Sequence, residues 1–419
     1  MNEPSDHVRP PAVRTLHLAA AALDPGGVTH RPGAVLVDGG RAVAWGERDA
    51  LRREHAGDAS DAVVVDHGET LLMPGLVNAH AHFELGDIGP RPYTGSFTSW
   101  IRLLWEHRPK DAAAVGRAVW RAIAASVAAG VDAVGDIGGG RLGQDEAQAA
   151  WEQAGLRGVW FPELIGLSGA GVANELERLS ELVASPARHA TLTRGVSPHA
   201  PYSTGRTLYA AVTRASVEHG LPVTTHLAEM TEEHEFVAHA AGPFRDFLEE
   251  LGVWRDEQAA DYRDGSSPVR WMEPYLRATR WLVAHGNYVD DDDLALLADT
   301  GTSVAYCPVA SAYFRHRGHR YRDMLDAGVN VCLGTDSIVC QPPNEPQPHG
   351  VLPQMRFLYR RDGTDPGVLF QMATANGRNA LRLGDTVRTL STVRFDARDP
   401  TEPLRQVLAG DAPSAGVVL

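Results

Sequence analysis

Lysine is all but missing from this sequence of 419 residues: Lys110 stands alone, and arginine supplies the rest of the positive charge. Cysteine is scarce as well. Cys307, Cys332 and Cys340 cannot all pair, and none is spaced Cys-x-x-Cys. They read as buried or incidental thiols in a reducing compartment rather than a disulfide framework. No run approaches the roughly 18 to 20 apolar residues of a membrane span. The stretch Met1 to Pro11 is polar and carries prolines, without the charged-then-apolar pattern of a secretory leader. A cytoplasmic protein is expected. Positive charge is in deficit: 39 Lys and Arg against 53 Asp and Glu leave a net −14. Such a surface repels phosphate backbones, so neither nucleic acid nor an anionic membrane is an expected partner. A small anionic substrate stays open, because a few local arginines can bind one.

What is present is a long alternation. Hydrophobic residues make up 43% of the chain, enough for a large core. From about Val13 to Leu72 the pieces are short and β-rich, such as Ala34 to Val37 and Ala62 to Val65. After Pro74-Gly75, apolar runs alternate with alanine-rich helical stretches. Candidate strands begin at Leu76, Val131, Val159, Thr193, Pro222, Trp281, Thr302 and Val329. A helix is expected from an Asp111 cap to a Gly130 stop, and others over Thr204 to His219 and Asp291 to Asp299. Near-continuous apolar strands separated by helices mean a parallel sheet covered on both faces. Eight such units predict an α/β fold, a (β/α)8 TIM barrel over residues 73–383. Residues 1–72 and 384–419 are expected to build a small β-sandwich domain beside it. Gly252 to Pro274, rich in Asp and Arg, reads as an insertion between units five and six.

Chemistry-bearing residues sit where the candidate strands stop: His80 and His82, then His199, His226 with Glu229, His285 and Asp336. In barrels the active site lies at that end of the strands. One such histidine is ordinarily a hydrogen-bonded structural residue. Five, with two carboxylates, at the same end of successive strands are hard to explain as packing. His80 and His82, two apart on a strand, face the same way. Neutral imidazoles suit one divalent metal ion, Zn²⁺ ahead of Fe²⁺, with His226 as a third nitrogen and Asp336 as an oxygen. A cation held there lowers the pKa of a water. Glu229 can move protons between that water and a leaving group, and His285 can orient the water.

Pro74 to His82, reading PGLVNAHAH, resembles the opening signature of the amidohydrolase superfamily. His226-Leu227-Ala228-Glu229, His285-Gly286 and Gly334-Thr335-Asp336-Ser337 resemble its later signatures, in order. The likeness runs from about Val35 to Leu381. Ser197 to Ser203 is similar to the mononuclear deaminases of the cytosine, S-adenosylhomocysteine and aminodeoxyfutalosine type. His82-Phe83-Glu84-Leu85 and Ser311 to Phe314 lean toward the last of these. The resemblance implies hydrolytic deamination of an amino-substituted heterocycle, an adenine-type nucleoside first. Binuclear relatives commonly bridge two metals through a lysine after strand four, and the region Thr193 to Tyr202 has none. Glu163, at the end of strand three, is the one carboxylate that could support a second metal; a substrate or structural role is preferred. His199, Trp100, Glu84, Glu163 and Arg315 are the expected substrate contacts. Arg315 belongs to an arginine-rich stretch, Arg315 to Arg322, that could clamp an anion or be a solvated loop.

Other motifs carry less. Gly138-x-Gly140-x-x-Gly143 matches a dinucleotide fingerprint but falls inside a barrel unit. His234-Glu235 and His239 miss the His-Glu-x-x-His spacing by one residue. Trp100 and Trp105 could stack on a flat ring or pack a helix. Two rival readings accompany the deaminase: the same metal site cutting C–Cl, guanidinium or cyclic amide bonds, and a scaffold that has lost its chemistry. The scaffold reading fits poorly, since every ligand position is filled. A homo-oligomer is compatible with the sequence but not required by it.

Overall fold

Thr389–Arg394, near the end of the chain, lies between Thr70–Pro74 and Ser414–Val418 in a five-stranded sheet completed by Ala21–Leu23 and Thr29–His30. The two chain ends therefore meet in one sheet. Thr15–Ala19, Gly33–Asp38, Arg41–Glu47 and Val63–Asp66 make a second sheet of four strands. The computed structural model describes residues 14–55, 62–184 and 191–419. The polar stretch Met1 to Pro11 lies outside the described residues.

Between these strands the chain is regular β/α alternation. Strand one is Leu76–Ala81, two Val131–Gly138 and three Arg157–Leu164. Strand four comes in two pieces, Leu192–Arg194 and Ser197–Pro198. Strands five to eight are Val223–Leu227, Trp281–His285, Ser303–Tyr306 and Asn330–Leu333. All are parallel, one to four in one sheet and five to eight in another. Single bridges stitch the seams, Val196 to Val223 on one side and Ala81 to Asp336 on the other. Val77, Ala133, Val159, Phe161, Leu282 and Cys332 belong to one buried cluster drawn from six of these strands. Buried on both faces, the strands read as unbroken apolar runs, which is why they were legible.

Strand one runs from Leu76 to Ala81, so His80 is on the strand and His82 just past its end. Its pairing with strand two slips between Asn78 and Ala81. A slip of this kind re-aims side chains at a sheet end. The helix Ala112–Ala128 begins where expected: the Asp111 carboxylate accepts from the Ala114 amide, 2.8 Å away. The residues 252–274 form short helical turns, Asp256–Asp261, Pro268–Trp271 and Glu273–Leu276, beside the strand ends. Among the described residues no helix is long and apolar enough to cross a membrane.

Candidate metal centre and active site

Strands one, five, six and eight each carry a residue of the site at or just past their ends. His80 is almost fully buried, and neither of its ring nitrogens has a hydrogen-bond partner. Its ring lies edge-on to those of His82 and His226, with centroids 5.0 Å away in both cases. The Nε2 atoms of His82 and His226 face each other at 3.3 Å. Asp336 Oδ1 stands 3.5 Å from His82 Nε2 and 3.9 Å from His80 Nε2. Imidazole lone pairs thus gather beside a carboxylate with no protein donor to satisfy them, and a cation is the species that does. The three ring nitrogens group together, and Asp336 groups with Glu229 and His285 beside them, a donor set that fits a divalent metal.

The backbone around this cluster is held in uncommon shapes. His285 (φ 73°), Asp336 (φ 59°) and Ala228 (φ 51°) are all left-handed without being glycine. Strain of this kind persists where neighbours over-determine it. The Thr335 and Asp336 amides both donate to the His80 carbonyl at 3.0 Å. Asn78 exchanges two hydrogen bonds with Thr335, tying unit one to unit eight. His319 donates from its ring to the His285 carbonyl. The buried Glu233 accepts from the Ala228 and Glu229 amides, at 3.0 and 2.8 Å.

His226 shows how tautomers are set. Its Nδ1 is 2.9 Å from the His199 carbonyl, which can only accept, so Nδ1 carries the proton and Nε2 is left for the cluster. The same bond answers the question of a second metal. Glu163, His199 and His226 do lie together, but the His226 atom facing Glu163, at 3.8 Å, is that protonated Nδ1. Only two donors remain there.

Burial sets the protonation of the carboxyls. It pushes Asp336 up to about 7, against the Ser337 amide bond that lowers it. It pushes Glu163 up to about 8, helped by Glu84. Glu229 is raised by burial first and by Asp336 and Glu233 next. Its Oε1 is 3.7 Å from His285 Nε2. Burial lowers all five imidazoles, His226 to about 4. Neutral imidazoles are the ligating form.

A cavity of about 800 Å³ opens over this floor, lined by His82, Glu84, Glu163, His199, Glu229 and Trp100 among others. Glu84 accepts from the Gly139 amide at 2.9 Å and pairs with Arg108. A side chain on Gly139 would collide with both Glu84 and Arg108, so this part of the glycine-rich run serves the cavity wall and not a dinucleotide. His199 Nδ1 meets Ser203 Oγ at 2.5 Å. Arg315 is placed elsewhere: it is exposed, lies over the Tyr93 ring, and lines a different cleft. Arg320 and Arg322 are also taken, by Asp291 and Asp323, and by Thr364 with the Asp362 carbonyl. Glu233, Arg108, Asn78 and His319 were not singled out from sequence. A carboxylate four residues past Glu229 was the only local signal among them.

The model of the amidohydrolase family matches residues 71–391. The chain belongs to that family. Among curated relatives, the 5′-deoxyadenosine deaminase of Methanoregula boonei is 27% identical over 349 residues, 80% of this chain and 72% of that one. The aminodeoxyfutalosine deaminase of Deinococcus radiodurans is 27% identical over 397 residues, 86% of this chain and 85% of that one. Among solved structures, the Helicobacter pylori aminofutalosine deaminase in complex with methylthio-coformycin superposes with a TM-score of 0.78. It is 17% identical and covers 95% of this chain and 97% of its own. That likeness establishes a TIM-barrel-type α/β fold for this amidohydrolase.

Proposed function

We propose that this amidohydrolase is a metal-dependent hydrolytic deaminase of an adenine-type nucleoside. One observation carries the reading: the ring nitrogens of His80, His82 and His226 gather together, and Asp336, 3.5 Å from His82, groups with Glu229 and His285 beside them at the floor of a single cavity. The two relatives named as deaminases of adenine nucleosides support it. His80, His82, His226 and Asp336 would hold one divalent ion, Zn²⁺ ahead of Fe²⁺ for a set of three nitrogens and one oxygen. When bound, that ion supplies the Lewis acidity that makes a water acidic enough to attack at neutral pH.

The remaining work falls to side chains. Asp336, raised to about 7 by burial, is placed to take the water's proton. Glu229, held protonated by burial, gives a proton to the ring nitrogen beside the carbon bearing the amino group. It then carries the proton from the added hydroxyl to the departing ammonia. His285 orients the attacking oxygen through its Nε2. The balance is amino-heterocycle plus water to oxo-heterocycle plus ammonia. Glu84, Glu163, His199 and Trp100 bind the substrate. The reading also takes the terminal sheets, residues 14–72 and 384–419, as a small β-sandwich unit beside the barrel. It places the enzyme in a reducing compartment such as the cytoplasm, in keeping with three free buried cysteines.

The test is a panel of amino-heterocycles, namely aminodeoxyfutalosine, adenosine, S-adenosylhomocysteine, cytosine and guanine, given to the metal-replete protein. Ammonia and the ultraviolet change of the ring are followed together. Ammonia from a purine nucleoside is the expected result. Silence across the panel with metal bound removes the reading in favour of another C–N or C–Cl bond.

A further inference from the structure

The cavity changes character between its floor and its mouth. The floor holds the ionisable groups. Around the mouth stand Trp105 (42% exposed), Ile165 (50%), Leu251 (38%) and Val253 (46%), large apolar side chains that the fold leaves open to water. They come from three separate places, the helix Phe97–His107, the loop after strand three and the segment after the helix Pro243–Glu250. Trp105 stacks on Phe247, with centroids 5.5 Å apart and planes 26° apart, so the two helices present one aromatic wall. Scattered exposed apolar residues are ordinary, but several around one opening mark a binding surface.

Two of the arginines near this wall are already engaged. Arg108 pairs with Glu84, and Arg102 pairs with Glu250 while lying over the Phe247 ring. The Arg255 guanidinium donates to the Gly252 and Trp254 carbonyls, and Glu257 stands beside it on the lining. The volume, about 800 Å³, lies toward the upper part of the range of roughly 300–1,000 Å³ that encloses drug-sized ligands. Space remains beyond a ring and its sugar.

Resting on the nucleoside reading, we infer that the substrate carries an uncharged apolar group, ring-sized and preferably aromatic, at the end remote from the reacting ring. That group lies on the wall of Trp105 and Phe247, between Ile165 and Val253. The enzyme selects for it. Each methylene taken from water at this wall raises kcat/KM about fourfold.

The experiment compares kcat/KM of the metal-loaded enzyme for adenosine, 5′-methylthioadenosine, 5′-benzylthioadenosine and S-adenosylhomocysteine. All four share one ring and one sugar. The benzyl compound is expected to exceed adenosine by at least tenfold. Equal values for the benzyl compound and adenosine overturn the inference while leaving the deaminase reading standing. No ammonia from any of the four removes both. Trp105→Ala and Val253→Asp change side chains already open to water. In each, the ratio of the benzyl compound to adenosine is expected to fall at least fivefold. An unchanged ratio in both overturns the assignment of the wall.

Discussion

Histidines gather twice in this molecule, and the two gatherings differ in what they leave unsatisfied. In the terminal sheets, His17 and His67 stack with centroids 5.2 Å apart and planes 12° apart. His17 Nδ1 meets His67 Nε2 at 2.9 Å. One ring donates and the other accepts, so the pair is complete. At the barrel end, His82 and His226 stack in almost the same way, at 5.3 Å and 13°. There the facing nitrogens are both Nε2, and the nitrogens of His80 have no partner at all. Stacking and lowered basicity are common to both sites. Buried carboxylates, left-handed backbone without glycine and an open cavity belong to the second. Proximity of imidazoles therefore does not mark a functional centre; unsatisfied lone pairs beside carboxyls do.

The sharpest test of that contrast removes a proton carrier without touching a ligand. Glu229→Gln keeps the shape of the side chain and its backbone bond to Asn287. Its kcat is expected to fall by about 10²–10⁴-fold, the usual weight of a positioned acid and base, with metal content unchanged by elemental analysis. Retained activity breaks the role given to Glu229.

Next in size is the metal itself. His226→Ala is expected to reduce bound metal to a small fraction of one ion per chain, whereas replacing both His17 and His67 by Gln leaves the metal in place. Chelation of the native enzyme should lower its melting temperature. A free ion at a hundred times its dissociation constant stabilises by about 2.7 kcal/mol. Equal metal loss in the His17/His67 variant erases the distinction between the two gatherings.

How far the site could be read beforehand follows from the same physics. His80, His82, His226, His285 and Asp336 were visible because each interrupts an apolar run at a strand end, a local event. The way strand one presents its histidines was not, because a slip between Asn78 and Ala81 depends on the neighbouring strand. The distant partners that hold site residues were equally silent. Asn78 meets Thr335 across 257 positions, and Glu84 meets the Gly139 amide across 55. Arginine density near Arg315 carried no direction, and the fold turned that side chain onto Tyr93. The barrel strands were legible in outline since burial on both faces writes itself into composition. Their ends were less so, because a cap or a bulge is decided by one hydrogen bond.

Glu233 offers a smaller and more selective break. Its two oxygens accept from successive amides at the left-handed turn of Ala228, which aims Glu229. Glu233→Gln leaves one of those amides facing an NH₂ group. A buried donor left unmet costs about 1–3 kcal/mol. A fall in kcat of roughly tenfold, the kinetic equivalent of 1.36 kcal/mol, is expected with KM little changed, and Glu233→Asp should recover part of it. If KM rises instead while kcat holds, Glu233 positions the substrate and not the acid.

The faintest effect belongs to the completed pair. Burial and the neighbouring His67 pull His17 down to about 4, and burial lowers His67 as well, with Asp66 acting the other way. In the unfolded chain both rings titrate near 6.5. Between those values the unfolded chain binds protons that the folded chain refuses, so stability rises with pH. The contribution is complete above about 6.5 and lost as pH falls toward about 4. With His67 partly open to water, the loss is on the order of 1 kcal/mol after allowance for screening. Denaturant midpoints of the native protein and of the variant with Gln at both positions, both metal-loaded, should therefore diverge in slope only between pH 6.5 and 4. Parallel curves through that window would mean that the pair exchanges its proton with solvent freely, and that its burial does no more than fill space in the sheet.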